Sequence, residues 1–346
     1  MKIAHVHFYV DDAEIWRDWF VYYLGFTAVK NSLSSFHTRT EVVQNGVVRF
    51  LLSSALSSHS PVAQFLRLHP PGVADVAFVV EDVKGAIALA EKQGASVIQP
   101  IELQQFGDIC YKCGKIAAWG GLSHTLMEYS DVNLATPQPS SDDIFTGIDH
   151  IVLNVAVGEL ESAVAWYGKI LGFQPQQSFK IQTDRSALYS QVMVSSNGRV
   201  QLPINEPASP NSQIQEFLDV NRGSGIQHIA LGTNNIIDAI AQFRARGLSL
   251  LSVPQSYYQK MTQRPGFSLS MVELAAIAQQ EILVDWKAEA PAAVLLQIFT
   301  QPIFGQPTFF FEFIQRRYQA QGFGEGNFQA LFEAIESEQI KRGTLI

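Results

Sequence analysis

The run Ile148-Asp149-His150-Ile151-Val152-Leu153-Asn154-Val155 occurs in this chain in two versions. Its earlier version is Ile3-Ala4-His5-Val6-His7-Phe8-Tyr9-Val10. Each version reads as a strand and leads into a segment with apolar residues at helical spacing. The first segment carries Trp16, Trp19, Phe20, Tyr23 and Leu24 before Gly25-Phe26. The second carries Leu160, Ala163, Val164, Tyr167, Ile170 and Leu171 before Gly172-Phe173. The i, i+3, i+4, i+7 spacing with glycine just past the end predicts an amphipathic helix in both places. Further on, Asn45-Gly46 and Asn197-Gly198 lie between apolar runs. Asn-Gly supplies the positive φ angles of a tight type I′ turn, so each half is expected to contain a hairpin there.

A second pairing lies inside the first. Gly72-Val73-Ala74-Asp75-Val76-Ala77-Phe78 runs into a helical pattern ending at Gly94, and Gly225-Ile226-Gln227-His228-Ile229-Ala230-Leu231 into one ending at Gly247. Four copies of a strand–helix–three-strand unit follow, two per domain, which makes the fold class α+β. The Pro- and Ser-rich stretch Ala135-Thr136-Pro137-Gln138-Pro139-Ser140-Ser141 reads as a linker. The expected domains are 1–134, a linker over 135–145, and 146–346. The segment 261–289 is read as partly helical over 271–280. Near the C-terminus, Phe328, Leu331, Phe332 and Ile335 fall on one helical face behind the glycines of Gly322-Phe323-Gly324-Glu325-Gly326-Asn327. An apolar helix over about 327–342 on a glycine hinge is a candidate lid.

The 346 residues, 47% hydrophobic and 16% charged, suffice for two sizeable cores. A formal charge of −8 without a dense basic block argues against nucleic acid and anionic membranes as partners. No apolar run is long enough to span a bilayer, and the N-terminus reads as a strand rather than a leader, so a cytoplasmic protein is expected. The two cysteines, Cys110 and Cys113, form Cys-x-x-Cys with no second pair to complete a zinc site. They read as free thiols in a loop.

The chemistry is concentrated in three strands. Thr308-Phe309-Phe310-Phe311-Glu312-Phe313-Ile314-Gln315-Arg316 places a carboxylate inside an aromatic run. A buried charge there needs a partner or a metal. A salt bridge to Arg316 or Arg317 would suffice, just as a backbone hydrogen bond would satisfy His150 or His228 singly. Their coincidence points further. The histidines sit on the first strands of successive units and the glutamate on a late strand of the same half. Two histidines and a carboxylate form the facial ligand set of a non-haem Fe(II) oxygenase. The matched positions of the first half are His5, Asp75 and Glu128, where an aspartate breaks the pair of histidines. The first half therefore reads as a structural partner without iron.

At these residues the chain resembles the 4-hydroxyphenylpyruvate dioxygenase family of the vicinal oxygen chelate superfamily, and its first half looks closest to the compact cyanobacterial forms. The resemblance is carried by Leu202-Pro203-Ile204-Asn205-Glu206-Pro207, Ser212-Gln213-Ile214-Gln215-Glu216-Phe217-Leu218 and Leu295-Leu296-Gln297-Ile298-Phe299-Thr300, together with the runs around His150, His228, Glu312 and Phe323. It implies two domains, each an open barrel of two βαβββ units. It implies Fe(II) as cofactor on His150, His228 and Glu312. It implies a pocket for 4-hydroxyphenylpyruvate made by Ser190, Pro203, Asn205, Gln213, Gln227, Gln297, Phe310, Phe323, Asn327 and Phe328, with Gln227 and Gln297 catalytic. Phe310 and Phe328 are able to sandwich a phenol ring. The implied reaction joins O2 to oxidative decarboxylation, ring hydroxylation and side-chain migration, giving homogentisate and CO2 for tyrosine breakdown or quinone and tocopherol synthesis. A homodimer or homotetramer is expected. The rival readings are 4-hydroxymandelate synthase, with the same fold and iron, and a non-catalytic ligand-binding protein of the same superfamily.

Overall fold

A computed structural model describes residues 1–30, 33–106, 109–130, 140, 143–183 and 186–343. The expected linker therefore falls largely outside the described residues. The first half runs β1 (Lys2–Tyr9), α1 (Ala13–Leu24), β2 (Thr27–Ala28), β3 (Thr38–Asn45), β4 (Val48–Ala55) and α2 (Pro61–Leu68). It continues through β5 (Gly72–Val79), α3 (Val83–Lys92), β6 (Val97–Phe106), β7 (Ile109–Ala117) and β8 (Ser123–Tyr129). The second half repeats the order with β9 (Phe145–Asn154), α4 (Leu160–Leu171), β10 (Gln174–Gln182), β11 (Ala187–Val194), β12 (Gln201–Pro207) and α5 (Gln213–Asn221). After these come β13 (Gly225–Thr233), α6 (Ile236–Ala245), α7 (Gln255–Met261), α8 (Met271–Gln279), β14 (Leu283–Lys287), β15 (Ala290–Phe299), β16 (Phe310–Arg316) and α9 (Phe328–Arg342).

Each half closes into one curled eight-stranded sheet. The strand orders are β2-β3-β4-β1-β5-β8-β7-β6 and β10-β11-β12-β9-β13-β16-β15-β14, the same path twice. The four βαβββ units are thus present, paired within each half by the antiparallel contacts of β1 with β5 and β9 with β13. The helix signals act as read. Asp12 caps α1 by accepting from the Glu14 and Ile15 amides, and Gly25 ends it at φ +70°. Gly172 ends α4 in the same left-handed conformation.

Two local readings change. Asn45 pairs with Val48, so the tight turn is Gly46-Val47, with Gly46 alone at positive φ. Asn45 is instead a stitch: its Nδ2 donates to the Gly25 carbonyl at 2.8 Å, and its Oδ1 accepts from the Ile144 and Phe145 amides. Around Gly198 the paired strands end at Val194 and Gln201, which leaves a longer loop in which Asn197 Oδ1 accepts from the Ser195 hydroxyl and the Arg199 amide. Asn-Gly is shared by both loop types, so the dipeptide could not separate them. The cysteines lie on β7 rather than in a loop; Cys113 is buried, Cys110 exposed, and both are free.

The two halves share one apolar core. Phe311 on β16 and Phe309 just before it pack onto the first half, Phe309 against Phe8 and Phe311 against Phe20 and Phe50. The alternate residues Phe310 and Glu312 face the opposite way, into the barrel of the second half. Successive strand side chains point to opposite faces, and this period-two rule explains how a carboxylate sits inside an aromatic run.

Candidate metal centre

Three adjacent strands bring the expected ligands together. Ala230 on β13 pairs with His150 on β9 and with Glu312 on β16, so the middle strand sets the other two in register. His150 Nε2 lies 3.2 Å, and His228 Nε2 3.6 Å, from Glu312 Oε2. One donor atom from each of the three residues lies within 4.8 Å of the others. Glu312 is not used by the neighbouring arginines: Arg316 pairs with Asp149, and Arg317 with Glu273.

The second polar atom of each ligand is already occupied. His150 Nδ1 donates to Asp149 Oδ1 at 2.9 Å, His228 Nδ1 to Gln227 Oε1 at 3.2 Å, and Gln297 Nε2 donates to Glu312 Oε1 at 2.9 Å. That leaves two imidazole Nε2 atoms and one carboxylate oxygen aimed at a common point. The donor set fits a divalent metal with open positions.

Two of these partners exist because the strands are irregular. The β9–β13 register slips between Ala230/His150 and Leu231/Ile148, which leaves Asp149 as the extra residue. It slips again between Ile226/Leu153 and His228/Val152, which leaves Gln227 extra. A β-bulge re-aims the side chain beside it, so a strand neighbour can reach round to its own histidine. Asp149 was missed by sequence reasoning, because strict alternation sends it to the opposite face from His150.

Charge follows from this packing. Burial opposes a proton on His150, but Glu312 and Asp149 outweigh it and raise its pKa to about 9 in the metal-free protein. Burial, with the charge on His150 beside it, pushes His228 well down. Burial also opposes ionisation of Asp149, yet hydrogen bonds from Arg316 and His150 hold its carboxyl well below the usual range. A cation seated among the three donors would take over from the His150 proton in countering Glu312.

His150, His228 and Glu312 line a cavity that holds about 660 Å³ of empty space, open solvent at its mouth included. Nine of the ten expected pocket residues line it: Ser190, Pro203, Asn205, Gln213, Gln227, Gln297, Phe310, Phe323 and Phe328. Asn327 stands behind the wall, where its Nδ2 donates to Gln297 Oε1 at 3.0 Å and its Oδ1 accepts from Tyr257 Oη at 2.7 Å. Phe310 stacks on His228 with centroids 4.8 Å apart. The cavity also takes Phe179, Ile181, Leu188, Val192, Phe299 and Ile335. Phe179-x-Ile181 and Leu188-x-Ser190-x-Val192 show the period-two signal that could have found four of them. Of the expected apolar face of α9, Phe328 and Ile335 reach the cavity; the side chains of Leu331 and Phe332 lie outside the description.

Residues 2–112 and 147–264 match the sequence model of the Glyoxalase/Bleomycin resistance protein/Dioxygenase superfamily. A 4-hydroxyphenylpyruvate dioxygenase of Coccidioides posadasii is 38% identical over 379 residues, covering 99% of this chain and 94% of that one. The chain belongs to the 4-hydroxyphenylpyruvate dioxygenase family. A family member from Legionella pneumophila is 35% identical across 93% of this chain and 90% of its own. An uncharacterised protein of Synechocystis is 36% identical across 97% of this chain and 98% of its own. Among solved structures, a triple mutant of 4-hydroxymandelate synthase from Streptomyces coelicolor superposes with a TM-score of 0.85 at 26% identity, covering 98% of both chains.

Among the described residues of the first half no such donor set is found, and the matched positions need one correction. Asp75 pairs with Ser123 as His228 pairs with Phe310, so Thr125, not Glu128, is the counterpart of Glu312. Glu128 matches Gln315, and both do the same work, accepting from the first amide of the helix that follows the neighbouring strand β5 or β13, Val83 and Ile236 respectively. Asp75 accepts from the Ser123 and Thr125 hydroxyls at 2.6 and 2.9 Å and lies 3.7 Å from the Lys115 ammonium. By strand register Lys115 replaces Phe299, so a lysine supplies the cation in this half.

Proposed function

We infer that the protein is a 4-hydroxyphenylpyruvate dioxygenase that holds Fe(II) on His150, His228 and Glu312 and turns 4-hydroxyphenylpyruvate and O2 into homogentisate and CO2. The observation that carries this reading is the convergence of two imidazole nitrogens and one carboxylate oxygen in the lining of an apolar cavity. Several full-length relatives at 35–38% identity bear that enzyme's name, which favours ring hydroxylation over the hydroxymandelate reaction.

Bound there, Fe(II) supplies chelation of the substrate's α-keto acid and activation of O2. The chain's own residues orient the substrate and exclude water. Phe179, Phe299, Phe310, Phe323 and Phe328 wall the cavity with ring surface, the surroundings a phenol ring prefers. Gln213 Oε1 is buried and has no hydrogen-bond partner among the described residues, so it is the acceptor we assign to the substrate's phenol hydroxyl. Gln227 and Gln297 bring neutral amides to the cavity and hold His228 and Glu312 at the same time. Helix α9 closes the mouth through Phe328 and Ile335.

The test is O2 uptake and product chromatography with Fe(II), ascorbate and 4-hydroxyphenylpyruvate. Homogentisate is expected. Hydroxymandelate would move the protein to the synthase reaction, and no O2 uptake would move it to the ligand-binding class.

A further inference from the structure

The two bulges beside the donor set recur in the first half. There the β1–β5 register slips between Ile3 and His5 and again opposite Asp75, leaving Ala4 and Ala74 as the extra residues. Ala4 is therefore the counterpart of Asp149. By strand register Tyr129 is the counterpart of Arg316. Ala4 and Tyr129 both pack on the small cluster of Ala77, Tyr111, Cys113 and Met127. The fold thus forms this bulge with an apolar pair, and the ion pair of the second half answers to something other than the fold.

Arg316 uses its whole guanidinium. Its Nε and Nη2 donate to Asp149 Oδ2 and Oδ1 at 2.7 and 2.8 Å, a two-point grip that holds the carboxylate plane. Its Nη1 donates to the carbonyls of Ala320 and Gly322 at 3.0 and 2.8 Å. Those carbonyls belong to a turn in which Tyr318 and Gln319 hold φ values of +46° and +58°, where residues other than glycine are strained. The turn ends at Phe323, whose ring centroid lies 5.2 Å from that of His150.

We propose that Arg316 is a positioning residue: through Asp149 it fixes the His150 ring with Nε2 toward the donor centre, and through the carbonyls of Ala320 and Gly322 it ties that ligand to the turn carrying Phe323. The proposal rests on reading His150, His228 and Glu312 as the metal centre. The ligand and the cavity wall are thereby locked by one guanidinium.

The test is anaerobic titration of the metal-free full-length protein with Co(II), read by affinity and by the visible ligand-field spectrum. Asp149→Asn and Arg316→Met are expected to weaken Co(II) about 10–100-fold and to alter the spectrum, the scale usual for outer partners of metal-bound histidines. The double variant Asp149→Ala with Arg316→Tyr transplants the first half's pair. It is expected to fold, by circular dichroism and thermal melting, and still to bind Co(II) at least 10-fold more weakly. A folded double variant with wild-type affinity and spectrum overturns the proposal. Should it fail to fold, Arg316→Lys, which keeps the charge and loses the fork, is read in the same way, and wild-type affinity and spectrum overturn the proposal there too. Failure of the underlying reading looks different: wild type would not bind Co(II), or Glu312→Ala would bind it as wild type does.

Discussion

Glu312 was visible as a problem before it was visible as a ligand. A carboxylate in Phe309-Phe310-Phe311-Glu312-Phe313 needs a partner, and the partners are two histidines on neighbouring strands. Glu312→Ala is expected to abolish specific metal binding and turnover while the protein stays folded, measured by metal content after gel filtration. A second residue tests how the carboxylate is held. Gly324 has φ +79°, and a Cβ there would lie 1.9 Å from Gln297 Oε1. Gly324→Ala must push that amide off Glu312 and also adopt a backbone disfavoured by about 1–2 kcal/mol. Weaker Fe(II) binding with a lower melting temperature is the expected outcome. The identities of the donors were legible because histidine and glutamate stand out in apolar strands. The role of Asp149 was not, because a bulge is a property of two paired strands and leaves no mark in one.

At the level of elements, α9 was legible from its apolar spacing, but what holds it down was not. Glu336 is buried and accepts from the Thr183 hydroxyl at 2.6 Å and the Ser186 hydroxyl at 2.7 Å, at the end of the β10–β11 hairpin. Arg342 pairs with Glu216 on α5 at 2.9 Å. Glu336→Ala removes the carboxylate acceptor from both hydroxyls, although Thr183 keeps its bond to the Ser186 carbonyl at 3.3 Å, a loss of about 1–3 kcal/mol in local stability. Faster amide exchange in α9 and a raised KM, with the core melting transition little changed, are expected. The Asn-Gly turns show the limit of dipeptide reading: the sequence marks where a chain reverses, while the strand register decides which residues occupy the corner.

For the whole molecule, the shared core predicts that the halves unfold together. Phe311 is fully buried between them, and Phe311→Ala is expected to cost about 3–5 kcal/mol in urea titrations, with one transition shifting as a unit. The first half also sets an acid limit. Burial, reinforced by Lys115, lowers His7 to about 3; burial lowers His5 to about 4, although Asp75 partly offsets it. The unfolded chain takes up protons below about pH 6.5 that these rings refuse, so stability falls as pH drops from 6.5 toward 4 and levels off near 3. Every tenfold loss of proton affinity on folding is worth at most about 1.4 kcal/mol here, because the ring edges stay partly accessible. His7→Gln should flatten that limb, seen by comparing urea midpoints at pH 7 and pH 4.5. The amino-acid order alone determined the four repeats, the strands and helices, and which residue types could ligate, since periodicity and composition are local. Tertiary structure alone decided which atoms converge, that Thr125 rather than Glu128 matches Glu312, and that Arg316 serves Asp149. Those outcomes depend on hydrogen-bond register between strands far apart in the chain, and a one-residue slip there turns a side chain to the other face.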